Sequence, residues 1–364
     1  MIYLKALAFF GHAPLPQWRV CRAGIRMILS RWNGPGARWC TSFPNRCPGR
    51  CVARCRAGAN TVGGAVPGTT TRLERIMSAS SSQPQSSHSP QPDLPRAYSR
   101  LLAEMPRLRA EVVAPDGAET WVGDAAREAL SDASFLGDRV NAGRSMFPMP
   151  EVDDDTRFQV QLWWYSLCGS WFGPAVASIV VMGEAPRAEW AATRMFARDG
   201  YWLGFTADGF DGCDNMDADA VRAYGEALGR MAEPVVGALA ESFGVRPAPL
   251  WAIVADGVAG AAVAAGNELM LPWVGAAVGA WLAEGLGNVA RVPGPRFVDV
   301  ADGVVTQTDM EAAADGEEPE DFDVVTHLER SSCCMIYHCP DADLCVSCPR
   351  RPAEERRALW AGEY

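Results

Sequence analysis

The sequence predicts an α+β protein, predominantly helical, that ends in a small irregular cysteine-rich segment. Three observations lead there. Apolar residues recur at helical spacing through much of residues 96–310, while strand-like alternation is confined to short pieces. Long Ala/Gly-rich apolar runs punctuated by single acids fit helices packed closely on one another. Finally, five of the twelve cysteines fall between positions 333 and 348. A chain of 364 residues, 48% hydrophobic and 21% charged, can bury a substantial core and has the composition of a soluble globular protein.

The first stretch, 1–76, departs from that pattern. It mixes Trp18, Trp32 and Trp39 with Arg, Cys, Pro and Gly and has neither helical nor strand periodicity. The apolar piece Ala6–Phe10 is too short for a secretory signal and is followed by Gly11, His12 and Pro14. A transit peptide would share the arginine excess but not the Cys and Trp. We therefore expect 1–76 to be translated upstream DNA, with Met77 opening the protein. The triplet Cys47, Cys51, Cys55 sits among arginines without an ordered frame and is not read as a metal site. Residues 77–95, rich in Ser, Gln and Pro, read as a disordered leader.

From 96 to 310 the sequence reads as a mostly helical scaffold and substrate domain. Leu101–Leu108 and Trp121–Leu136 carry the i, i+3, i+4 recurrence of amphipathic helices. Phe158–Gly183 is an uncharged run long enough to cross a bilayer, yet it holds Gln159, Gln161, Ser166, Ser170 and Ser178. We expect two buried helices there, joined near Gly173-Pro174. Tyr201–Thr206 reads as a strand, Asp208–Asp214 as turns, and Asp217 as the N-cap of a helix reaching Phe243, with Pro234 a point of kinking. Pro249–Leu286, interrupted by Asp256, Glu268 and Glu284, reads as close-packed helices, with Gly257, Gly260 and Gly266 as packing glycines. A short strand at Phe297–Val300 and a turn at Asp302-Gly303 follow. The acidic stretch 311–324 reads as a solvated loop. Trp163, Trp164, Trp171, Trp190 and Trp202 read as core residues.

Charge excludes one class of partner. Residues 1–76 carry Lys5 and eleven arginines against Glu74, so with a total of −11 the rest of the chain is −22. An acidic body repels phosphate backbones, so nucleic acid is not an expected partner. No GxGxxG after a strand, Walker loop, GxSxG or zincin helix is present.

The chemistry lies in 325–364. Cys333 and Cys334 are followed by Cys345 and Cys348, a C-C-x10-C-x2-C pattern with Cys339 inside it. Two thiolates three positions apart on a tight turn can grip one metal, in zinc knuckles and iron–sulfur sites alike. Adjacent cysteines in an extended segment point in different directions, which suits a two-iron rhomb better than one tetrahedral ion. By spacing alone, an iron–sulfur cluster, a structural zinc and unligated thiols all remain open.

This segment resembles the C-terminal signature of the FhuF-type ferric siderophore reductases. The positions matching that family's [2Fe–2S] ligands are Cys333, Cys334, Cys345 and Cys348. Arg330 and Ser332 match residues that precede the pair, Tyr337 an aromatic that follows it, and Pro349 the proline after the last cysteine. The match covers about Arg330 to Pro349; the body is similar only in its Ala-rich helices and in having the cluster at the C-terminus. Cys339 is an extra thiol, read as a free cysteine beside the ligands, and His338 stands where a basic residue is frequent. Cys168 and Cys213 are expected to be structural.

The resemblance implies a ferric siderophore reductase, passing one electron to an Fe(III)-siderophore so that Fe(II) is released. It implies a ferredoxin or flavin-dependent reductase as electron donor and a cytoplasmic location, peripheral at most to the inner face of the membrane, with no integral membrane segment. Arg350, Arg351, Arg356 and Arg357 are candidate docking cations, although Glu354 at i, i+3 from Arg351 and Arg357 equally suits a solvated helical tail. The rival function is a scaffold or binding protein with a structural four-cysteine zinc site. A second rival, a siderophore-synthetase relative, would be longer and would need an ATP site.

Overall fold

Pro95 cannot donate a backbone hydrogen bond, and the first helix, α1 (Arg96–Glu104), starts directly after it, burying Tyr98 and Leu101. The computed structural model describes residues 94–149, 156–319, 323–340 and 342–362, all within one unit, Gln91–Tyr364. The expectations for 1–76, and for nearly all of 77–95, lie outside the described residues. The helical spacing at 101–108 does not give one helix. Pro106 disfavours helical geometry at Met105, which takes φ −127° and ψ 69°, and a 3-10 turn Pro106–Leu108 leads into the short α2 (Arg109–Val112).

The run 121–136 also divides. Trp121 lies on β1 (Thr120–Val122), Gly123 turns the chain with φ 61°, and α3 (Asp124–Ala129) follows. Asp132 then caps α4 (Ala133–Met146) by accepting from the Phe135 N–H at 2.8 Å. Apolar recurrence marked the buried faces correctly but could not see the intervening turns.

The expected break at Pro174 is absent: α5 runs unbroken from Thr156 to Met182. An interior proline costs roughly 3 kcal/mol. The same helix buries Trp164, Phe172, Val176 and Ile179 completely, each contributing roughly 1.5–3 kcal/mol, so packing prevails. Trp163 and Trp164 are core residues whose indole N–H groups reach the carbonyls of Tyr201 and Leu250. Trp171 is also buried; Trp190 and Trp202 are half-buried and pack against the same core.

Strands β2 (Glu184–Pro186), β3 (Thr193–Ala197), β4 (Leu203–Ala207) and β5 (Phe210–Gly212) follow. β1, β3 and β4 form an antiparallel sheet in that order, with Met195 opposite Phe205, and β2 pairs with β5, which lies within the turn-rich segment 208–214. Asp217 caps α6 (Ala218–Phe243) by accepting from the N–H groups of Asp219 and Ala220, and Gly244 ends it in the left-handed conformation. Pro234 does not interrupt it.

α7 (Pro247–Glu268) and α8 (Pro272–Leu286) pack as the Ala/Gly runs imply. Of the three glycines expected to serve packing, Gly266 alone is tightly enclosed. A Cβ there would come within 2.7 Å of the Leu271 carbonyl oxygen, whereas Gly257 and Gly260 have nearest neighbours at 3.5 and 3.7 Å. By length and composition α5 and α7 could each cross a membrane, but 67% and 61% of their most apolar windows are buried inside this fold.

The last sheet is antiparallel, in the order β7 (Val304–Gln307), β6 (Phe297–Ala301), β8 (Val325–Leu328). Asp302 and Gly303, with φ 49° and 78°, make the tight β6–β7 turn. Part of the expected acidic loop is instead α9 (Met310–Asp315), capped by Asp309 and favoured by its alanines. The chain ends in α10 (Ala353–Ala361). The architecture is α+β and predominantly helical, with an irregular cysteine-rich stretch between β8 and α10.

Replacing Gly266 by Val should drive a branched side chain into the Leu271 carbonyl and lower stability by about 1–3 kcal/mol. Urea unfolding would show this as a lower midpoint; an unchanged midpoint would mean α7 and α8 can separate freely.

Candidate metal centre

The chain from β8 into the cysteines is laid along α7. The Asn267 side chain, near the C-terminal end of α7, donates to the Thr326 carbonyl at 2.8 Å and accepts from the Thr326 N–H at 3.1 Å. Eleven positions earlier on the helix, Asp256 grips Ser331 and Ser332. Eleven helical residues rise about 16.5 Å, and five extended residues cover about the same distance. The segment 326–331 therefore runs extended and antiparallel to α7, pinned at both ends.

Asp256 is 6% exposed, so its charge must be met inside the protein. It accepts from both Ser331 and Ser332, through backbone N–H groups at 3.0 and 2.6 Å and hydroxyls at 3.0 and 2.6 Å. Its other partner is Arg330, whose Nε lies 3.9 Å from Oδ2. Arg330 is itself buried. Its guanidinium stacks over Tyr165 of α5 at 4.5 Å, and its Nη1 donates to the Cys345 sulfur at 3.6 Å. Burial works against its charge, but Tyr165, Cys334, Cys345 and Asp256 hold its pKa above the ordinary arginine value.

The seven cysteines among the described residues are all free thiols. Four come together as two pairs: Cys345 packs against Cys334, and Cys348 is the neighbour acting on Cys333. Neighbours in sequence thus part to opposite sides, and each takes a partner from the C-x2-C turn, closed by the Cys348 N–H to the Cys345 carbonyl at 3.0 Å. Among the described residues no three His, Cys, Asp or Glu side chains gather within reach of one metal ion.

The two pairs have different surroundings. Cys334 is buried against Met149 and Leu162 and faces Arg330. The hydrogen bond from Cys345 lowers its pKa to about 6; burial opposes this, while Arg330 and the Ile336 N–H assist. Cys345 in turn holds its proton, mainly because it donates to Cys334. On the other side, burial raises Cys333 to about 11 although the Met335 N–H donates to its sulfur at 3.5 Å. That side adjoins Tyr337, over whose ring the exposed Arg350 sits at 4.9 Å.

The far end of the loop is fixed by arginines. Arg351 donates to the carbonyls of Leu344 and Cys345 at 2.5 and 3.1 Å and pairs with Glu355. Buried Arg356 bonds the Arg351 carbonyl at 2.7 Å and pairs with buried Glu329 at 3.5 Å. Two of the four candidate docking arginines thus hold the frame, and the solvated-tail pairing through Glu354 is replaced by Arg351–Glu355. Only Arg350 and Arg357 of the four are exposed.

Cys339 is half-buried in the same apolar patch as Cys334, and burial first, then Cys334, raises it to about 11. The His338 ring lies between Phe158 and Tyr337, with centroids 4.3 and 4.1 Å away. Cys168 is fully buried in α5, and Cys213 is buried beside the β2–β5 pair. A cavity lined by Arg187, Asp211, Cys213 and Tyr224 adjoins the far end of α5. It is on the order of 30 Å along that helix from the residues that touch the cysteines, too far to share their chemistry.

Residues 330–350 match the family model of the FhuF 2Fe-2S C-terminal domain. The segment is a [2Fe–2S]-binding domain. No curated protein and no solved structure matches the chain. The local chemistry fits such a cluster. Arg330 Nη2 is buried without a hydrogen-bond partner on a guanidinium whose Nη1 reaches the Cys345 sulfur, so an anionic acceptor is wanted there. Apart from Arg330 and Ser332, sequence reasoning missed the supports. Asp256 appeared only as an acid interrupting an apolar helix, although a lone carboxylate on an otherwise buried face demands an internal partner.

Replacing Asp256 by Ala would leave Arg330 and four Ser331/Ser332 donors unmet. We expect a loss of about 3–5 kcal/mol in metal-free protein, read from its unfolding midpoint. A loss below about 1 kcal/mol would show that water replaces the carboxylate.

Proposed function

We propose that the protein is a ferric-siderophore reductase in which Cys333, Cys334, Cys345 and Cys348 hold the [2Fe–2S] cluster. The observation that carries this reading is the joining of four sulfurs into two pairs within the matched segment, beside a buried, incompletely bonded guanidinium. The bound cluster would supply single electrons. Siderophores bind Fe(III) through hard oxygen donors and hold Fe(II) far less tightly, so one electron suffices for release and no nucleophile or general base is needed.

The residues divide the remaining work. Cys333 and Cys345 are half-buried, which suits electron exchange with a docked molecule. Met149 and Leu162 exclude water behind Cys334. Arg350, exposed over Tyr337, offers a cation to an anionic chelate or an acidic donor protein. The electron donor in this reading is a ferredoxin or a flavin-dependent reductase. The setting is cytoplasmic, with any membrane contact peripheral to its inner face.

Anaerobically purified protein should be red-brown, hold about two irons and two sulfides, and be EPR-active only after reduction. A colourless protein with one zinc would overturn the reading in favour of a scaffold. Cys345→Ser should abolish reduction of ferric chelates by dithionite-reduced protein, whereas Cys339→Ser should leave cluster content unchanged. Retained turnover in the first variant, or cluster loss in the second, would redraw the ligand set.

Ligation requires thiolates, and the raised Cys333 and Cys345 must surrender protons on loading. Cluster reconstitution should therefore be weaker at about pH 6.5 than at about pH 8.5, judged by visible absorbance. Equal yields would mean the protons are lost before loading.

A further inference from the structure

We infer that Arg330 decides which iron accepts the electron: the reduced ion is the one held by Cys334 and Cys345, with Asp256 and Tyr165 as positioning residues for that guanidinium. This rests on the ligand reading proposed above. The same-metal pairs follow from the packing of Cys345 against Cys334, which leaves Cys333 with Cys348. Arg330 reaches one pair alone. Its Nη1 donates to Cys345 at 3.6 Å, and Cys345 packs against Cys334, while the sulfur of Cys333 accepts from the Met335 N–H.

One electron, from a donor protein or from dithionite, converts one ferric ion to ferrous. No bond is made or broken, no proton need move, and the site becomes more negative by one charge. A buried cation touching one pair of sulfurs stabilises that charge on its own side. Two other charges must be weighed against it. Asp256 is anionic, but four Ser331 and Ser332 donors surround it, so the guanidinium's positive end faces the sulfurs. Arg350 favours the opposite pair, but it is exposed, screened by solvent, and sits over the Tyr337 ring with no sulfur contact. Nη2 of Arg330 is buried without a hydrogen-bond partner on the same guanidinium, while Nε faces Asp256.

The test is proton NMR of dithionite-reduced protein, with iron and sulfide assayed on the same sample. Cysteine β-protons on a ferrous ion of a coupled pair shift oppositely with temperature to those on the ferric ion, so each cysteine reports its own metal. The ferrous pattern should fall on Cys334 and Cys345. Its appearance on Cys333 and Cys348, or on a mixed set, would overturn the inference while leaving the cluster reading intact. Absence of two irons and two sulfides would instead sink the cluster reading.

Substitution supplies an independent arm. Arg330→Gln should lower the equilibrium constant for reduction at least tenfold, a 59 mV fall for a one-electron couple. Arg330→Lys, which keeps the charge, should recover most of it. An unchanged potential in a fully loaded Arg330→Gln protein would refute the role. Should that variant fail to load, wild-type NMR and the Lys variant still decide.

Discussion

A carboxylate placed inside an apolar helix bundle cannot be left alone, and the local structure around the metal centre follows from how Asp256 is answered. Its partners are not scattered across the fold. They are consecutive residues, Arg330, Ser331 and Ser332, immediately before the cysteine pair. The cost of burying the charge is thereby offset by bonds that also fix where Cys333 and Cys334 begin. The interaction links the helical body directly to the ligand-bearing segment. With Asn267 holding Thr326, it turns α7 into a straightedge along which the chain is drawn.

The opposite end of the loop uses a different device. Arg351 gathers two carbonyls, those of Leu344 and Cys345, while Arg356 and Glu329 tie α10 back to the residue that follows β8. Stacking of His327 on Trp360 at 5.1 Å strengthens the same junction. Both halves of the cysteine motif are therefore held by charged groups whose partners are backbone atoms or buried counterions. Such bonds are directional, and they specify position in a way that apolar packing does not.

Legibility in the sequence followed the range of the interactions involved. The cysteine spacing, the Asp217 cap, the β6–β7 turn and the close-packed α7–α8 pair depend on residues near one another in the chain, and all could be read. Pro174 was misjudged because the burial that overrides it comes from elements far away in sequence. Trp121–Leu136 looked like one helix because apolar recurrence continues across Gly123 and Asp132. Asp256 was visible only as an anomaly; its partners lie some 75 positions on, and no local pattern links them. Likewise Arg351 and Arg356 looked like surface charge, since nothing nearby shows that backbone carbonyls will come to meet them.

The frame around the cysteines is tied at both ends by protein–protein bonds. Asp256 anchors one end, Arg351 the other, and the sulfurs already stand in pairs. These bonds bear part of the entropy of closing the ten-residue loop between Cys334 and Cys345.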